Sequence, residues 1–296
     1  MEYIIYHTKE FHSLFDESEI KTIKERLGLK KTLTKKIMKK QIEFSVDSIK
    51  PLNSGVIELK LVSKEQLPEI KGGQFLMLYL NDNSKILNRP FVIYKWDSNS
   101  ITLGIAIVGK GTEQITKLKK GDKVSALLPL GNGWEIGLKP HHKKVAIIGS
   151  SIGGVAVHPI LLSFPNKECH TFLGFKDKQN IMFEKEFKKT NLKISTVDGS
   201  YGFKGYVNEM FEDALNSGFK PDVILACGSH LTLQLVKDIA IRRGIECFMS
   251  GEERMACGIG ACLVCTCKIQ KDEGGEIQHQ RVCADGPVFN IREVVL

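Results

Sequence analysis

The sequence predicts a multidomain β plus α/β protein: a small antiparallel β-barrel, a doubly wound parallel sheet and a short cysteine-held metal module. Three observations carry this. Short β-type runs divided by turn signals fill residues 41–140, and apolar runs alternating with helical stretches fill 141–248. Five of the eight cysteines then fall within 27 residues, from Cys257 to Cys283. A length of 296 residues suits about two domains of roughly 100–200 residues each, leaving 249–296 as the small module.

Residues 1–40 read as a basic N-terminal extension. Positions 21–40 hold nine Lys or Arg and one acid, Glu25, for a net +8 that equals the charge of the whole chain. The remainder is neutral, which argues against nucleic acid as the main partner. Asp16 or Ser18 can cap a helix with Ile20, Ile23 and Leu27 on one face, a solvated charged helix or a docking surface for an acidic partner. The first residues, Met1 to His7, show no basic and apolar signal-peptide pattern, and no run reaches the ~18 apolar residues of a membrane helix, so a cytoplasmic chain is expected. With 42% hydrophobic and 26% charged residues the composition is globular, excluding disordered, collagen-like and coiled-coil classes.

In 41–140 the strand candidates are Val56–Val62, Phe75–Leu80, Phe91–Tyr94 and 101–108. Turn signals at Lys71-Gly72-Gly73, Asn81-Asp82-Asn83 and Asp97-Ser98-Asn99 separate them. Many short strands at this spacing fit a small antiparallel barrel. In 141–248 the candidates are 144–149, 171–175, 193–197, 222–227 and 246–249. A helix is expected over Leu231–Arg243 with Leu231, Leu235 and Ile239 on one side. Strand–helix alternation predicts a parallel sheet.

The most specific pattern is Cys257-Gly-Ile-Gly-Ala-Cys262-Leu-Val-Cys265 followed by Cys283. C-x4-C-x2-C…C is the plant-type spacing for a [2Fe–2S] cluster. Gly258 and Gly260 permit positive φ and let backbone N–H groups approach sulfur. A four-cysteine zinc site is the alternative, though zinc favours paired C-x2-C knuckles and only one is present. Cys267 leaves an ambiguity of register with Cys265. Cys169, Cys227 and Cys247 lie at or near strand ends, where packing explains them.

The runs Glu252-Glu253-Arg254-Met255-Ala256-Cys257-Gly258-Ile259-Gly260-Ala261-Cys262 and Cys283-Ala284-Asp285-Gly286-Pro287-Val288-Phe289 resemble the electron-transfer subunits of dihydroorotate dehydrogenase. These belong to the ferredoxin reductase-like flavoproteins, and the resemblance extends over about residues 41–296. It implies FAD in the barrel, with Arg89-Pro90-Phe91-Val92 at the superfamily's Arg-x-(Tyr/Phe)-(Ser/Thr) signature. Arg89 would pair with the FAD pyrophosphate and Phe91 would pack on the flavin, while Val92 replaces the usual hydroxyl. Gly109-Lys110-Gly111-Thr112 matches a phosphate loop, with Gly111 and Thr112 against the cofactor. Before it, Gly104-Ile105-Ala106 stands where an aromatic–arginine pair is usual, and Leu128–Trp134 matches a further motif of the flavin domain.

The nucleotide half departs further. Relatives carry Gly-Gly-Gly-x-Gly after the first strand, whereas this chain reads Gly149-Ser150-Ser151-Ile152-Gly153-Gly154. The Cys227-Gly228 pair keeps the family's Cys-Gly element facing the nicotinamide, but Ser229-His230-Leu231 replaces a Pro-containing continuation. NAD(P) is the further cofactor that the resemblance implies for this half, and His158 and His230 are candidates for the cleft rim, with core or surface packing the simpler explanation.

The resemblance implies an oxidoreductase subunit carrying FAD and a [2Fe–2S] cluster, linking nicotinamide or a protein donor to an FMN-containing dihydroorotate dehydrogenase catalytic subunit in pyrimidine biosynthesis. Such a subunit is part of a hetero-oligomer and does not itself act on dihydroorotate, so no catalytic acid–base residues are assigned. Two other readings are a subunit of an NAD(P)H:ferredoxin oxidoreductase or other multi-component reductase, and a non-redox scaffold stabilised by zinc.

Overall fold

The computed structural model describes residues 39–80, 88–272 and 274–296. The helix expected near Ile20–Leu27 and the Asn81–Asn83 turn lie outside the described residues. Strands β1 (Lys40–Asn53), β2 (Val56–Val62), β3 (Phe75–Tyr79), β4 (Arg89–Val92), β5 (Lys95–Trp96), β6 (Ser100–Ala106) and β7 (Lys123–Leu130) form one antiparallel sheet. Its order is β4-β3-β7-β1-β2-β6-β5. The sheet curls until β4 comes against β6, enclosing Ile42, Phe44, Leu59, Leu61, Leu76, Leu78, Leu103 and Ile105. Alternation explains the enclosure: in β2, Ile57, Leu59 and Leu61 face inward while Glu58 and Lys60 face out.

Beyond the short helix α1 (Lys110–Ile115), the second sheet contains β8 (Lys144–Ser150), β9 (Glu168–Phe175), β10 (Asn191–Thr196), β11 (Phe203–Lys204), β12 (Val223–Cys227) and β13 (Glu246–Ser250). All of these pair in parallel, in the order β11-β10-β9-β8-β12-β13. Helices α2 (Gly153–Val157), α3 (Pro159–Ser163), α4 (Glu184–Phe187), α5 (Val207–Asn216) and α6 (His230–Arg243) follow in turn. Val145, Ile147, Val223 and Leu225 pack against α2 and α3, while Ala146, Ile148, Ile224 and Ala226 pack under α5 and α6. Burial on both faces is why these strands read as continuous apolar runs.

One detail differs from expectation. The buried face of α6 is Leu233, Val236, Ile239 and Ala240; Leu231 is exposed and Leu235 only half-buried. Ser229 caps the helix, its hydroxyl accepting from Thr232 N at 3.2 Å, and Gly244 closes it at φ 67°. The start imposed by that cap rotates the stripe away from Leu231. The C-terminal residues 249–296 pack onto the second sheet. After the hairpin β14 (Thr266–Ile269) and β15 (Gln278–Arg281), strand β16 (Val288–Asn290) pairs antiparallel with β13 at the sheet edge. Cys265, Ile269, Val282, Cys283, Phe289 and Ile291 share one core with α5 and α6, because a segment this short cannot bury a core of its own.

Candidate functional site

A cavity of about 340 Å³ opens between the barrel and the parallel sheet, within the roughly 300–1,000 Å³ range of small-molecule sites. Its barrel wall comes from β4 and β6 through Pro90, Phe91, Val92, Gly104 and Ala106, joined by Thr112. The facing wall is Ile152, Val155 and Ala156 of the β8–α2 turn and helix, with residues 250–253 and Met255 closing one end. The lining is mainly apolar, suited to a flat heteroaromatic ring.

Arg89 lies at the start of β4 with its guanidinium on the backbone of Gly111. A Cβ at Gly111 would meet Arg89 Nε at 2.2 Å and Nη2 at 2.3 Å, so a larger residue there would push the guanidinium aside. Arginine fork and helix-start backbone together suit a pyrophosphate. Thr112 works locally: Oγ1 accepts from Val108 N at 2.9 Å and Gly109 N at 3.2 Å, shaping the loop. Gly104 has a different job from ligand approach alone, since a Cβ there would lie 2.4 Å from Val155 Cγ2. Ile105, between the two lining residues, points into the barrel core by strand alternation and is fully buried. The residues present thus fit a flavin dinucleotide, with Val92 offering no hydroxyl to its ring edge.

The cysteine loop sits directly beside this cavity. Gly258, at φ 69°, lets the loop lie on the barrel, where a Cβ would be 2.4 Å from Met77 Cγ; Gly260, at φ 87°, approaches Ala284. Arg281 ties the segment together by a two-pronged pair to Asp285 at 2.9 and 3.0 Å and a bond to Gly260 O at 3.1 Å. The charge-assisted bonds from Arg281 hold the Asp285 carboxyl below its ordinary range.

The four thiols are linked, since Cys283 interacts with both Cys265 and Cys257, and Cys257 with Cys262. Cys283 N donates to Cys265 Sγ at 3.4 Å, and the Cys265 and Cys283 thiols interact directly. Cys257 interacts with Cys262 in the same way and receives Ile259 N at 3.4 Å. Burial acts to raise the Cys257 thiol, yet the N–H groups of Ile259, Cys262 and Ala261 outweigh it and bring the pKa down to about 6. Cys283 is pushed up to about 12, first by burial and then by Cys265. Among the described residues no group of three or more His, Cys, Asp or Glu is gathered to hold a single ion. Four linked thiols with N–H groups aimed at sulfur suit a binuclear cluster, which these thiolates would hold. Cys267, on β14, lines a separate cavity of about 460 Å³, with Cys265 among the linked thiols.

At the nucleotide half, Gly149 is buried in β8 and Gly153 lies on the end of β12, where a Cβ would meet Cys227 O at 2.4 Å. Cys227 is fully buried in the core beneath the cleft, and Gly228 lines the second cavity. His158 is likewise a core residue, 4% exposed, with its ring 4.6 Å from Tyr94; His230 lines the second cavity. Asn132 was not singled out by sequence, yet its side chain donates to Asp285 O and Val288 O and accepts from Val288 N at 2.9–3.1 Å, joining barrel to cysteine segment. Its place within the Leu128–Trp134 motif was the available signal.

Residues 252–295 match the family model described as the iron-sulfur cluster binding domain of dihydroorotate dehydrogenase B. The dihydroorotate dehydrogenase B (NAD(+)) electron transfer subunit of Clostridium acetobutylicum is 39% identical over 234 residues, covering 77% of this chain and 87% of that one. The chain belongs to the dihydroorotate dehydrogenase B electron transfer subunit family. The member from Listeria innocua is 36% identical over 262 residues, with 86% of this chain and 99% of that one covered. Among solved structures, an NADH-dependent reduced ferredoxin-NADP oxidoreductase superposes with TM-score 0.74 at 24% identity, covering 85% and 89% of the two chains. A ferredoxin NADP+ reductase from Neisseria gonorrhoeae, solved with FAD and NADP, gives TM-score 0.60 at 15% identity over 69% and 92%. These two establish the fold that this family member shares. No helix among the described residues is long and apolar enough to cross a membrane.

Proposed function

We propose that this chain is the electron-transfer subunit of a dihydroorotate dehydrogenase, holding FAD in the cavity between barrel and sheet and a [2Fe–2S] cluster on Cys257, Cys262, Cys265 and Cys283. The observation that carries this reading is the continuity of the two sites: Glu252, Glu253 and Met255 line the flavin cavity and the chain leads directly from them into Cys257. When bound, the flavin interconverts two-electron and one-electron transfer, and the cluster carries one electron at a time.

The chain's own residues position these groups. Arg89, with Gly111 beneath it, would hold the pyrophosphate; Phe91, Gly104 and Ala106 would flank the ring and exclude water from it. Arg281 and Asp285 keep Gly260 and Cys283 in register, and Asn132 fixes that assembly to the barrel. Cys262 is exposed, with Ile259, Leu263 and Val264 exposed around it, so the cluster edge faces outward, toward a protein that accepts or supplies electrons. The parallel sheet supplies a second nucleotide half, for NAD(P).

Mixing the purified chain anaerobically with an FMN-containing dihydroorotate dehydrogenase catalytic subunit tests this reading. Dihydroorotate should bleach the flavin and cluster absorbance of the complex but leave the isolated chain unchanged. Bleaching by reduced ferredoxin instead, with no response in the complex, would favour the multi-component reductase reading.

A further inference from the structure

The two sequence departures in the nucleotide half, Ser150 at the end of β8 and Ser229 after β12, lie 79 residues apart and meet in space. The sheet order places β8 beside β12, with the chain leaving β8 to one side for β9 and returning on the other for β12. That reversal makes the crevice outside their carboxyl ends the ligand site of an open parallel sheet. Ser150 Oγ occupies it. The oxygen accepts from Ser229 N at 3.1 Å and from Thr232 Oγ1 at 3.1 Å. It lies so close over Gly228 that a Cβ there would be 2.1 Å away.

The backbone beneath retains the course of a glycine loop. Ser151 is held at φ 50°, the left-handed region uncommon for any residue but glycine, by its N–H to Gly174 O at 2.8 Å. Gly153 keeps the near-contact with Cys227 O that brings α2 onto the end of β12. Ser150 adds a side-chain oxygen to that loop. A phosphate approaching the start of α6 would use the Ser229 N–H as donor, and that N–H already serves Ser150 Oγ.

We propose that Ser150 is a specificity-determining residue whose hydroxyl stands in for a phosphate oxygen at the crevice, so that a pyridine dinucleotide binds only by turning it out. The proposal rests on the reading of this half as an NAD(P) site. It makes nicotinamide a weak ligand of this chain, with the affinity set by one side chain. Ser150→Gly removes the oxygen and its Cβ; Ser150→Ala removes the oxygen alone.

The test uses the full chain loaded with FAD and cluster, titrated calorimetrically with NAD+ and, separately, NADP+. Ser150→Gly should tighten binding of the preferred nucleotide at least tenfold, equivalent to about 1.4 kcal/mol, and Ser150→Ala should fall between it and the parent. Anaerobic bleaching of flavin by the matching reduced nucleotide should accelerate in the same order. A merely structural hydroxyl predicts the opposite sign, because loosening the turn would weaken binding. Binding by the parent with equal or weaker affinity in both variants overturns the role of Ser150 alone. No binding of either nucleotide by any of the three proteins, with dithionite still reducing flavin and cluster, overturns the nucleotide reading together with it.

Discussion

Gly111→Ala should weaken FAD binding while leaving the protein as stable as before. The new Cβ would lie 2.2–2.5 Å from Arg89 Nε, Nη2 and Cζ, whereas ordinary contact begins near 3.4 Å, so the guanidinium must retreat by about 1.2 Å. An arginine displaced that far would hold the pyrophosphate in a poorer geometry, with one or both bonds weakened. Losing part or all of a two-pronged, charge-assisted pair costs about 2–4 kcal/mol, or roughly 30- to 1,000-fold in Kd. Alanine in a helix is worth up to ~1 kcal/mol over glycine, so the melting temperature should hold or rise. The assay is fluorescence titration of flavin-stripped protein with FAD, applied to Gly111→Ala, Arg89→Ala and the double variant. Because alanine acts only through Arg89, it should cost little once Arg89 is gone. Wild-type affinity in Arg89→Ala would refute the assignment of Arg89 to the pyrophosphate, and full additivity in the double variant would refute the coupling of Gly111 to it.

Other outcomes follow from the same geometry. Cys262→Ser should abolish the cluster, read as iron and labile sulfide, while FAD stays bound; Cys267→Ser, whose side chain lines the other cavity, should keep both. His158 is buried and its pKa falls from 6.5 to about 4, so it folds neutral and the unfolded chain binds the extra proton as pH drops. Its contribution is complete above pH 6.5 and is lost progressively toward pH 4, about 3 kcal/mol in all; His158→Phe should remove that part of the acid dependence of urea unfolding. Asn132→Ala deletes three hydrogen bonds between barrel and cysteine segment, about 2–3 kcal/mol, and should accelerate cluster loss at moderate temperature more than it weakens FAD.

What could be read in advance was whatever is local. Strand β2 appears with the predicted bounds because its inward and outward residues alternate without interruption. The proposed cysteine ligand set rests on spacing, which is local. Strand β1 escaped notice although Ile42, Phe44 and Val46 alternate with polar residues, because register shifts near Asp47 and Asn53 break the pattern. Non-local features were beyond reach. Strand β16 is three residues long and exists only through β13. Ile105 belongs to a motif position by order in the chain, yet strand alternation sends it into the core. Ser150 and Ser229 each read as a departure from a family pattern, and only folding makes them one hydrogen bond.

The central claim is a chain that stores electrons in both a flavin and a binuclear cluster, and an anaerobic reductive titration with dithionite tests it most directly. The as-purified protein should take up about three electrons per chain, two into FAD and one into the cluster, with visible bleaching of both. An uptake of about two electrons would remove the cluster, and a colourless protein that takes up none and contains zinc would contradict the account altogether.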